Sequence, residues 1–439
     1  MGKFVMINLE TAVQDNKVMQ NFDLESLPMG ADHSQMVKAA PIGSDYSSKD
    51  CVNLLSSTAV SRINWLSDEN VILSNPRMPE ALKKTFLPTL SHLDQLDLKG
   101  HVFMATSGSS GIMKWAALSK TGILHSAAAV NNHLNSSKKD IWLNPLPCFH
   151  VGGLGILARG YLSEASVVDC DFPNSKWCPL HFLTRLIESR ATLVSLVPTQ
   201  VFDLVASGHQ APPDLRAVIV GGGRLSEKVY FSAIELGWKL LPSYGLTECA
   251  SQVATAEYGS WSGSSYPLLV PLSHVDLSTN DEGFLKIKSE SLLTGYLEND
   301  QKGTYLKNPK IKGWLTTEDQ AIFEGKFIKS ISRETHCIKI GGENVNILRL
   351  EEILEEERLS MGLNLETAIV ALEDARLGYR LHLAVAFCNH EEIKQLINRY
   401  HERVFPFERI SQIHHLEQIP RSPLKKILRE ELNHQCKNK

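Results

Sequence analysis

From residue 100 onward, hydrophobic positions along the chain follow two alternating patterns. Short apolar runs bounded by turn residues give way to longer segments whose apolar positions recur every three or four residues. Side chains repeat every two residues across a strand and about every 3.6 around a helix, so these patterns predict strands and amphipathic helices in turn. Strands are expected over 101–105, 141–146, 166–169, 192–197, 215–220 and 238–241, with helices over 151–159, 179–190 and 199–206. A further helix is started by Ser226, a good N-cap, and ended by Gly237. Strands of about six residues alternating with helices of about ten to twelve imply βαβ units and a largely parallel sheet.

After Tyr258 the texture turns to Gly, Ser and Pro, then to short strands expected at 283–289, 321–328 and 337–340. Beyond about residue 332 a smaller α+β pattern begins: helix 350–357, strands 367–371 and 382–387, helix 391–405 and a basic tail. The expected fold class is therefore α/β. A large N-terminal domain, residues 1–331, carries mostly parallel sheets with flanking helices, and a small α+β C-terminal domain covers residues 332–439. The first 95 or so residues are polar and turn-rich, with apolar patches at 52–55 and 71–73.

A chain of 439 residues, 43% hydrophobic and 21% charged, can bury a large core and divide into domains. Its net charge of −4 leaves no electrostatic footprint for nucleic acid or an anionic membrane. Eight cysteines without a CxxC pair argue against a zinc ribbon or a disulfide framework and favour a reducing compartment. The start, Met1-Gly2-Lys3-Phe4-Val5-Met6, has no secretory pattern, and no uncharged apolar run approaches the ~20 residues that cross a bilayer. A cytoplasmic protein without a membrane span is expected; whether it assembles with its own copies is left open.

Four segments carry chemistry. Thr106-Ser107-Gly108-Ser109-Ser110-Gly111-Ile112-Met113-Lys114 follows a strand and holds four hydroxyls, two glycines and a lysine. Such a loop can wrap an anion with backbone N–H groups, hydroxyl donors and a point charge, although its spacing is not that of a Walker A loop. Ser243-Tyr244-Gly245-Leu246-Thr247-Glu248 lies at the carboxyl end of a presumed parallel strand, where open α/β sheets bind ligands. Tyr244 offers a face for a purine, Thr247 a phosphate donor and Glu248 a hard oxygen for Mg²⁺. Gly313-Trp314-Leu315-Thr316-Thr317-Glu318-Asp319, followed by Arg333, supplies a bidentate acceptor for ribose hydroxyls and a guanidinium for sugar or phosphate. The basic run Arg421-Ser422-Pro423-Leu424-Lys425-Lys426 closes the series. Taken alone, the Ser243–Glu248 segment is as readily a strand-end turn, and the other three are more readily ordinary turns or solvated surface.

In combination and in this order, with Pro147-Cys148-Phe149-His150, Gly221-Gly222-Gly223, Leu292-Leu293-Thr294-Gly295-Tyr296 and Ile340-Gly341-Gly342-Glu343-Asn344 between them, the segments resemble the adenylate-forming superfamily of acyl-CoA synthetases, adenylation domains and luciferases. The likeness runs from about residue 101 to 430. It implies that Thr106, Ser107, Gly108, Ser109, Ser110, Gly111 and Lys114 grip the ATP phosphates, that Gly221, Gly222 and Gly223 lie against the adenine and that Tyr244 stacks on it. It implies that Thr247 contacts the α-phosphate, Glu248 holds Mg²⁺, Asp319 and Arg333 take the ribose, and His150 gates the acyl pocket. Gly341 and Gly342 would line the tunnel for CoA, the small domain would be mobile about a hinge near Thr335, and Lys426 would stand where the family has its adenylation lysine. Three departures stand out: Met113 and Trp115 flank the loop lysine, Thr335 stands at the hinge in place of an aspartate, and Lys425 replaces the glycine before Lys426, so either lysine could reach the site.

The short build ahead of the phosphate loop, with the Ser243–Gln252 stretch, is most similar to the o-succinylbenzoate–CoA ligases of menaquinone biosynthesis. That implies a small carboxylic acid, ATP and CoA as substrates and Mg²⁺ as cofactor. Other aryl- or acyl-CoA ligases, enzymes that load a carrier protein, and nucleotide-binding relatives without activity are the alternatives.

Overall fold

The computed structural model describes residues 4–7, 51–53, 63–75, 78–86, 90, 93, 96–107, 113–172, 176–262, 264–300, 303–332, 337–363, 365–386, 390–420 and 427–437. Its centre is an eleven-stranded sheet. Ser166–Asp169, Ile141–Asn144, Leu193–Leu196, Ala217–Val220 and Leu240–Leu246 lie side by side in parallel. All four residues of Leu193–Leu196 and of Ala217–Val220 are buried, as parallel strands covered on both faces should be. The period of two is visible in the packing. Val218 and Val220 meet Phe182, Leu186, Leu204 and Tyr230 on one face, while Ala217 and Ile219 meet Val130, Leu134 and Ile156 on the other. Those partners come from helices Pro179–Glu188, Pro198–Ala206 and Glu227–Glu235 on the first side and Lys120–Leu134 and Val151–Ser163 on the second. Ser226 caps its helix as expected, accepting the Val229 N–H at 3.3 Å.

Past Leu240–Leu246 the same sheet turns antiparallel, through Ser251–Ala256, Leu269–Pro271, Phe327–Ser332, Trp314–Glu324, Phe284–Ser289 and Val275–Thr279. The run 321–328, expected as one strand, is instead two strands joined at a tight turn. Glu324 pairs with Phe327, and Gly325 takes φ +60, a left-handed conformation that costs glycine nothing. The segment 313–319, expected as a turn, is already strand from Trp314 onward.

A second, seven-stranded sheet has His101–Ser107 and Met113–Ser119 as a central antiparallel pair, flanked by Asn70–Leu73 on one side and by Gly295–Asp300 on the other. The two large sheets share a core in which Val102, Met104, Ala116 and Leu118 join Val253, Leu285 and Ile287. Residues 337–437 build separate small sheets, Cys337–Ile340 with Glu343–Asn346, and Glu366–Asp374, Gly378–Ala386 and Gln412–Leu416. Helices Ile347–Ser360 and His390–Arg403 pack there through Leu350, Leu354, Leu396 and Tyr400. No helix among the described residues is long and apolar enough to cross a membrane.

Candidate active site

The carboxyl end of Leu240–Leu246 is held open by one glycine. The pairing with Ser251–Ala256 slips between Tyr244 and Gly245, and a Cβ on Gly245 would sit 2.0 Å from the Ser251 carbonyl oxygen. Only glycine fits, and the close approach lets the chain swing into the single turn Thr247–Cys249. Ala250 at φ 51 and Ser251 at φ 120 then reverse it. Such conformations cost roughly 1–3 kcal/mol each for residues with side chains, and they cluster where a fold presents functional groups.

This turn brings Glu248 under the hairpin formed by His101–Ser107 and Met113–Ser119. Thr106 and Lys114 face each other across that hairpin. The Thr106 hydroxyl reaches Glu248 Oε1 at 3.4 Å, and the Tyr296 hydroxyl donates to the same oxygen at 2.8 Å. The Lys114 ammonium lies 5.1 Å from the centre of the Tyr296 ring. Burial, then the Glu248 charge beside it, hold the Tyr296 hydroxyl firmly protonated, far above its ordinary range. Glu248 and Lys114 make no ion pair among the described residues.

One layer away, Tyr244 donates to Asp319 Oδ2 at 2.8 Å, and Asp319 is steadied by its own N–H on Thr317 Oγ1 at 3.1 Å. Ser243 donates to the Val220 carbonyl at 3.1 Å, tying the start of the segment to the strand that runs into Gly221, Gly222 and Gly223. Gly222 takes φ +80, and its carbonyl accepts the Lys339 ammonium at 3.0 Å. Gly341 and Gly342, with φ +62 and +92, turn the Cys337–Ile340 hairpin so that Gly342 lies against Gly222 and Val197. A bidentate pair, Arg376 on Asp203 at 2.6 and 2.7 Å, holds the same neighbourhood together.

His150 starts the helix Val151–Ser163 and pairs with Glu343 at 3.0 Å. Burial opposes charge on the imidazole, but the Glu343 charge and hydrogen bond outweigh it and raise the His150 pKa. Burial likewise acts against the Glu343 carboxylate, and the His150 charge reverses that, lowering its pKa.

Twelve of the residues expected from the sequence are thus linked by neighbouring contacts: Thr106, Lys114, His150, Gly221, Gly222, Gly223, Tyr244, Thr247, Glu248, Asp319, Gly341 and Gly342. The side chain of Ser107 and residues Gly108, Ser109, Ser110, Gly111, Arg333, Thr335, Lys425 and Lys426 lie outside the described residues.

Three participants were not singled out from the sequence. Glu343 belongs to the Ile340–Asn344 segment that the resemblance places along the CoA tunnel, and Tyr296 ends the Leu292–Tyr296 motif, but neither side chain has a role of its own there. Arg159 falls at the end of the helix expected over 151–159, and its lone charge within Gly155-Ile156-Leu157-Ala158-Arg159-Gly160 is the signal in the sequence. Arg159 is only 2% exposed. It donates to Ser195 Oγ at 3.3 Å and Ser251 Oγ at 3.4 Å, its Nε has no partner, and it makes no ion pair among the described residues. Burial pulls its pKa down to about 9. Gly155 leaves room for it, since a Cβ there would stand 3.1 Å from the guanidinium. Beside it, the Gln252 carbonyl oxygen is also buried and unpartnered.

A parallel sheet whose carboxyl edge gathers a lysine-bearing hairpin, a carboxylate and a tyrosine–aspartate pair has its polar groups where open α/β sheets bind ligands. The comparison with family models agrees: residues 51–297 match the AMP-binding enzyme family, and the chain belongs to it. Among curated relatives, the 2-succinylbenzoate–CoA ligase of Bacillus cytotoxicus is 28% identical over 342 residues, covering 74% of this chain and 68% of that one. The same-named enzyme of Lactococcus lactis is 27% identical over 350 residues, covering 79% and 73%. Among solved structures, an o-succinylbenzoate CoA synthetase double mutant from Bacillus subtilis, bound to a product analogue, shares the fold with TM-score 0.70 at 20% identity, covering 83% of each chain. The amide bond synthetase of Marinactinospora thermotolerans does so with TM-score 0.63 at 21% identity, covering 76% and 69%.

Proposed function

We propose that this chain is an AMP-forming acid–CoA ligase whose acid is o-succinylbenzoate, acting in menaquinone biosynthesis in the cytoplasm. Its membership of the AMP-binding family and its similarity to ligases named for that acid support the reading. The observation that carries the choice of acid is Arg159. o-Succinylbenzoate has two carboxylates, and only one reacts, so the other must be buried with its charge intact. A desolvated guanidinium lacking a counter-ion, beside Ser251 and Gln252 and three residues past Glu248, answers that need.

A carboxylate is a poor acyl donor because its leaving group would be oxide. Its oxygen attacks the ATP α-phosphorus, an acyl–oxygen–phosphorus bond forms, and pyrophosphate departs. Thr106, Lys114 and the hairpin between them would hold the departing phosphates, Thr247 the α-phosphate, and Tyr244 with Asp319 the nucleoside, so catalysis is mainly positioning and electrostatics. The hard oxygens of Glu248 and Thr106, with Glu248 Oε2 free of hydrogen bonds among the described residues, fit Mg²⁺. When bound, the ion would neutralise phosphate charge. Lys426, or Lys425 beside it, would supply the positive charge for this first step. In the second step the CoA sulfur attacks the acyl carbon, the carbon–oxygen bond breaks, AMP leaves and the thiol proton passes to solvent. The Gly341-Gly342 turn beside Gly222, with His150 at the acyl side, would line the thiol's path, and rotation near Thr335 would exchange the two arrangements. In this reading residues 332–439 are the moving unit.

The deciding experiment is pyrophosphate release against a panel of carboxylic acids, with and without CoA. Release with o-succinylbenzoate, followed by its thioester only when CoA is present, is expected. Preference for an acid without a second carboxylate, or transfer to a carrier protein with indifference to CoA, would overturn the proposal.

A further inference from the structure

Lys114 and Glu248 present a physical problem. An ammonium and a carboxylate drawn to the same cleft should pair with each other, and a paired carboxylate is a weaker cation ligand. Yet the two make no ion pair among the described residues, and Tyr296 stands between them. Its hydroxyl donates to Glu248 Oε1 at 2.8 Å, while its ring receives the Lys114 ammonium at 5.1 Å. The ring face attracts the cation and the hydroxyl satisfies one carboxylate oxygen, so Tyr296 gives each charge a neutral partner, while Glu298 adds a weaker pull on Lys114.

The backbone around Tyr296 is fixed from several sides. Tyr296 pairs with Ala116 on the hairpin that carries Lys114. Leu293 donates its N–H to the main-chain carbonyl of Glu248 at 2.8 Å, and Thr294 donates to Ala117 at 2.8 Å. His101 reaches the Thr294 hydroxyl at 2.8 Å. Gly295 admits no side chain, since a Cβ would lie 2.8 Å from the Lys307 carbonyl. A short segment thus ties the lysine-bearing hairpin to the carboxylate-bearing turn, with the phenol as its working end.

We propose that Tyr296 is a positioning residue for the cation site: it holds Glu248 by Oε1, leaves Oε2 for the metal, and keeps Lys114 free for phosphate. This deepens the ligase reading and rests on it for the identity of Glu248 as a ligand. The test is Mn²⁺ binding, followed by electron paramagnetic resonance, to the full chain with a non-hydrolysable α,β-methylene ATP. Tyr296→Phe keeps the ring and loses the hydroxyl; it is expected to weaken Mn²⁺ binding roughly tenfold, the usual worth of one hydrogen bond to a charged group. Nucleotide affinity without metal should stay unchanged, and turnover should recover at high Mg²⁺. Tyr296→Leu, which also frees Lys114 to pair with Glu248, should weaken metal and metal-free nucleotide binding together.

In a Glu248→Gln background, Tyr296→Phe should have no further effect, because the two act as one unit. Unchanged Mn²⁺ affinity in Tyr296→Phe, or a loss that persists undiminished in the Glu248→Gln background, would overturn the proposal. Should Glu248→Gln itself leave Mn²⁺ binding intact, the assignment of Glu248 as a metal ligand falls, and this proposal with it. Failure of the unaltered chain to release pyrophosphate with any acid would instead count against the ligase reading, and the Mn²⁺ titration would still decide the role of Tyr296.

Discussion

Replacing Arg159 with methionine separates what this residue does for the fold from what it does for the acid. A buried guanidinium with two long hydrogen bonds to hydroxyls, an unpartnered Nε and the Trp142 ring face 5.5 Å away contributes little to stability, because these neutral contacts offset only part of the desolvation of the charge. Exchanging such a buried ion for an apolar side chain of similar length is neutral or stabilising by about 1–4 kcal/mol. Arg159→Met is therefore expected to keep or raise the melting temperature. The acid should tell the opposite story. Losing one partner of a buried charge pair costs about 2–5 kcal/mol in binding, so KM for o-succinylbenzoate should rise between roughly 30-fold and several thousand-fold. A mono-acid such as benzoate, which brings no second carboxylate, should be scarcely affected or favoured. Thermal melting and pyrophosphate release against both acids give the measurements. An Arg159→Met chain with unchanged KM for the diacid, or one that loses melting temperature in proportion to its activity, would refute the reasoning and return Arg159 to an ordinary packing role.

Other outcomes follow from the same geometry. Tyr244→Phe removes a 2.8 Å hydrogen bond to Asp319 and should raise KM for ATP about three- to tenfold, with KM for the acid unchanged in steady-state assays. Gly245→Ala would force a Cβ to within 2.0 Å of the Ser251 carbonyl and should destabilise the chain by about 3 kcal/mol or more in chemical denaturation, with loss of activity at once. The His150–Glu343 pair is complete only where both groups are charged. The raised histidine supplies its share below the ordinary 6.5 and loses it as pH rises through the raised value; the lowered glutamate supplies its share above the ordinary 4.5 and loses it as pH falls through the lowered value. Both side chains are a third exposed, so the pair is worth only about 0.2–1 kcal/mol. Limited proteolysis of the 337–363 region should then be slowest near pH 5–6, between those two ordinary values, and His150→Gln should remove that dependence. Lys426→Ala should abolish acyl-AMP formation while sparing thioester formation from supplied acyl-AMP; equal loss of both half-reactions sinks the lysine's assignment, and retention of both transfers it to Lys425.

The parallel half of the large sheet was legible in the sequence because its strands are buried on both faces and its helices on one, so hydrophobic period and secondary structure coincide. Leu193–Leu196 and Ala217–Val220 are wholly buried and bounded by helix caps, and their positions followed from pattern alone. The antiparallel half was harder. In Trp314–Glu324 and Phe327–Ser332, buried and exposed residues alternate only loosely, and the turn that divides them rests on a single glycine's left-handed conformation. The site divides the same way. Residues proposed to meet a ligand directly, such as Thr106, Glu248 and Asp319, are polar groups at or near strand ends and stand out. Residues proposed to act through another side chain do not: Tyr296 is remote from Lys114 and Glu248 in sequence, and the pairing of Gly295–Asp300 with Met113–Ser119, together with the Leu293 N–H on the Glu248 carbonyl, brings the three together.

What unites the unusual features of this site is that each breaks a rule of stable folding. Arg159 buries a charge without a counter-ion, Ser251 holds φ 120 with a side chain, and Glu248 and Lys114 decline an ion pair within reach of one tyrosine. Local conflicts of this kind cost a fold stability, and they are tolerated where a ligand supplies the missing partner. The three lie along one path, from Arg159 through Ser251 and the Ala250 turn to Glu248 and Tyr296. If a diacid and a metal-bound nucleotide occupy the two ends, each ligand relieves a conflict that the empty chain must tolerate. Each should then raise the melting temperature by more than its counterpart does in Arg159→Met or Tyr296→Phe, where the conflict is already gone.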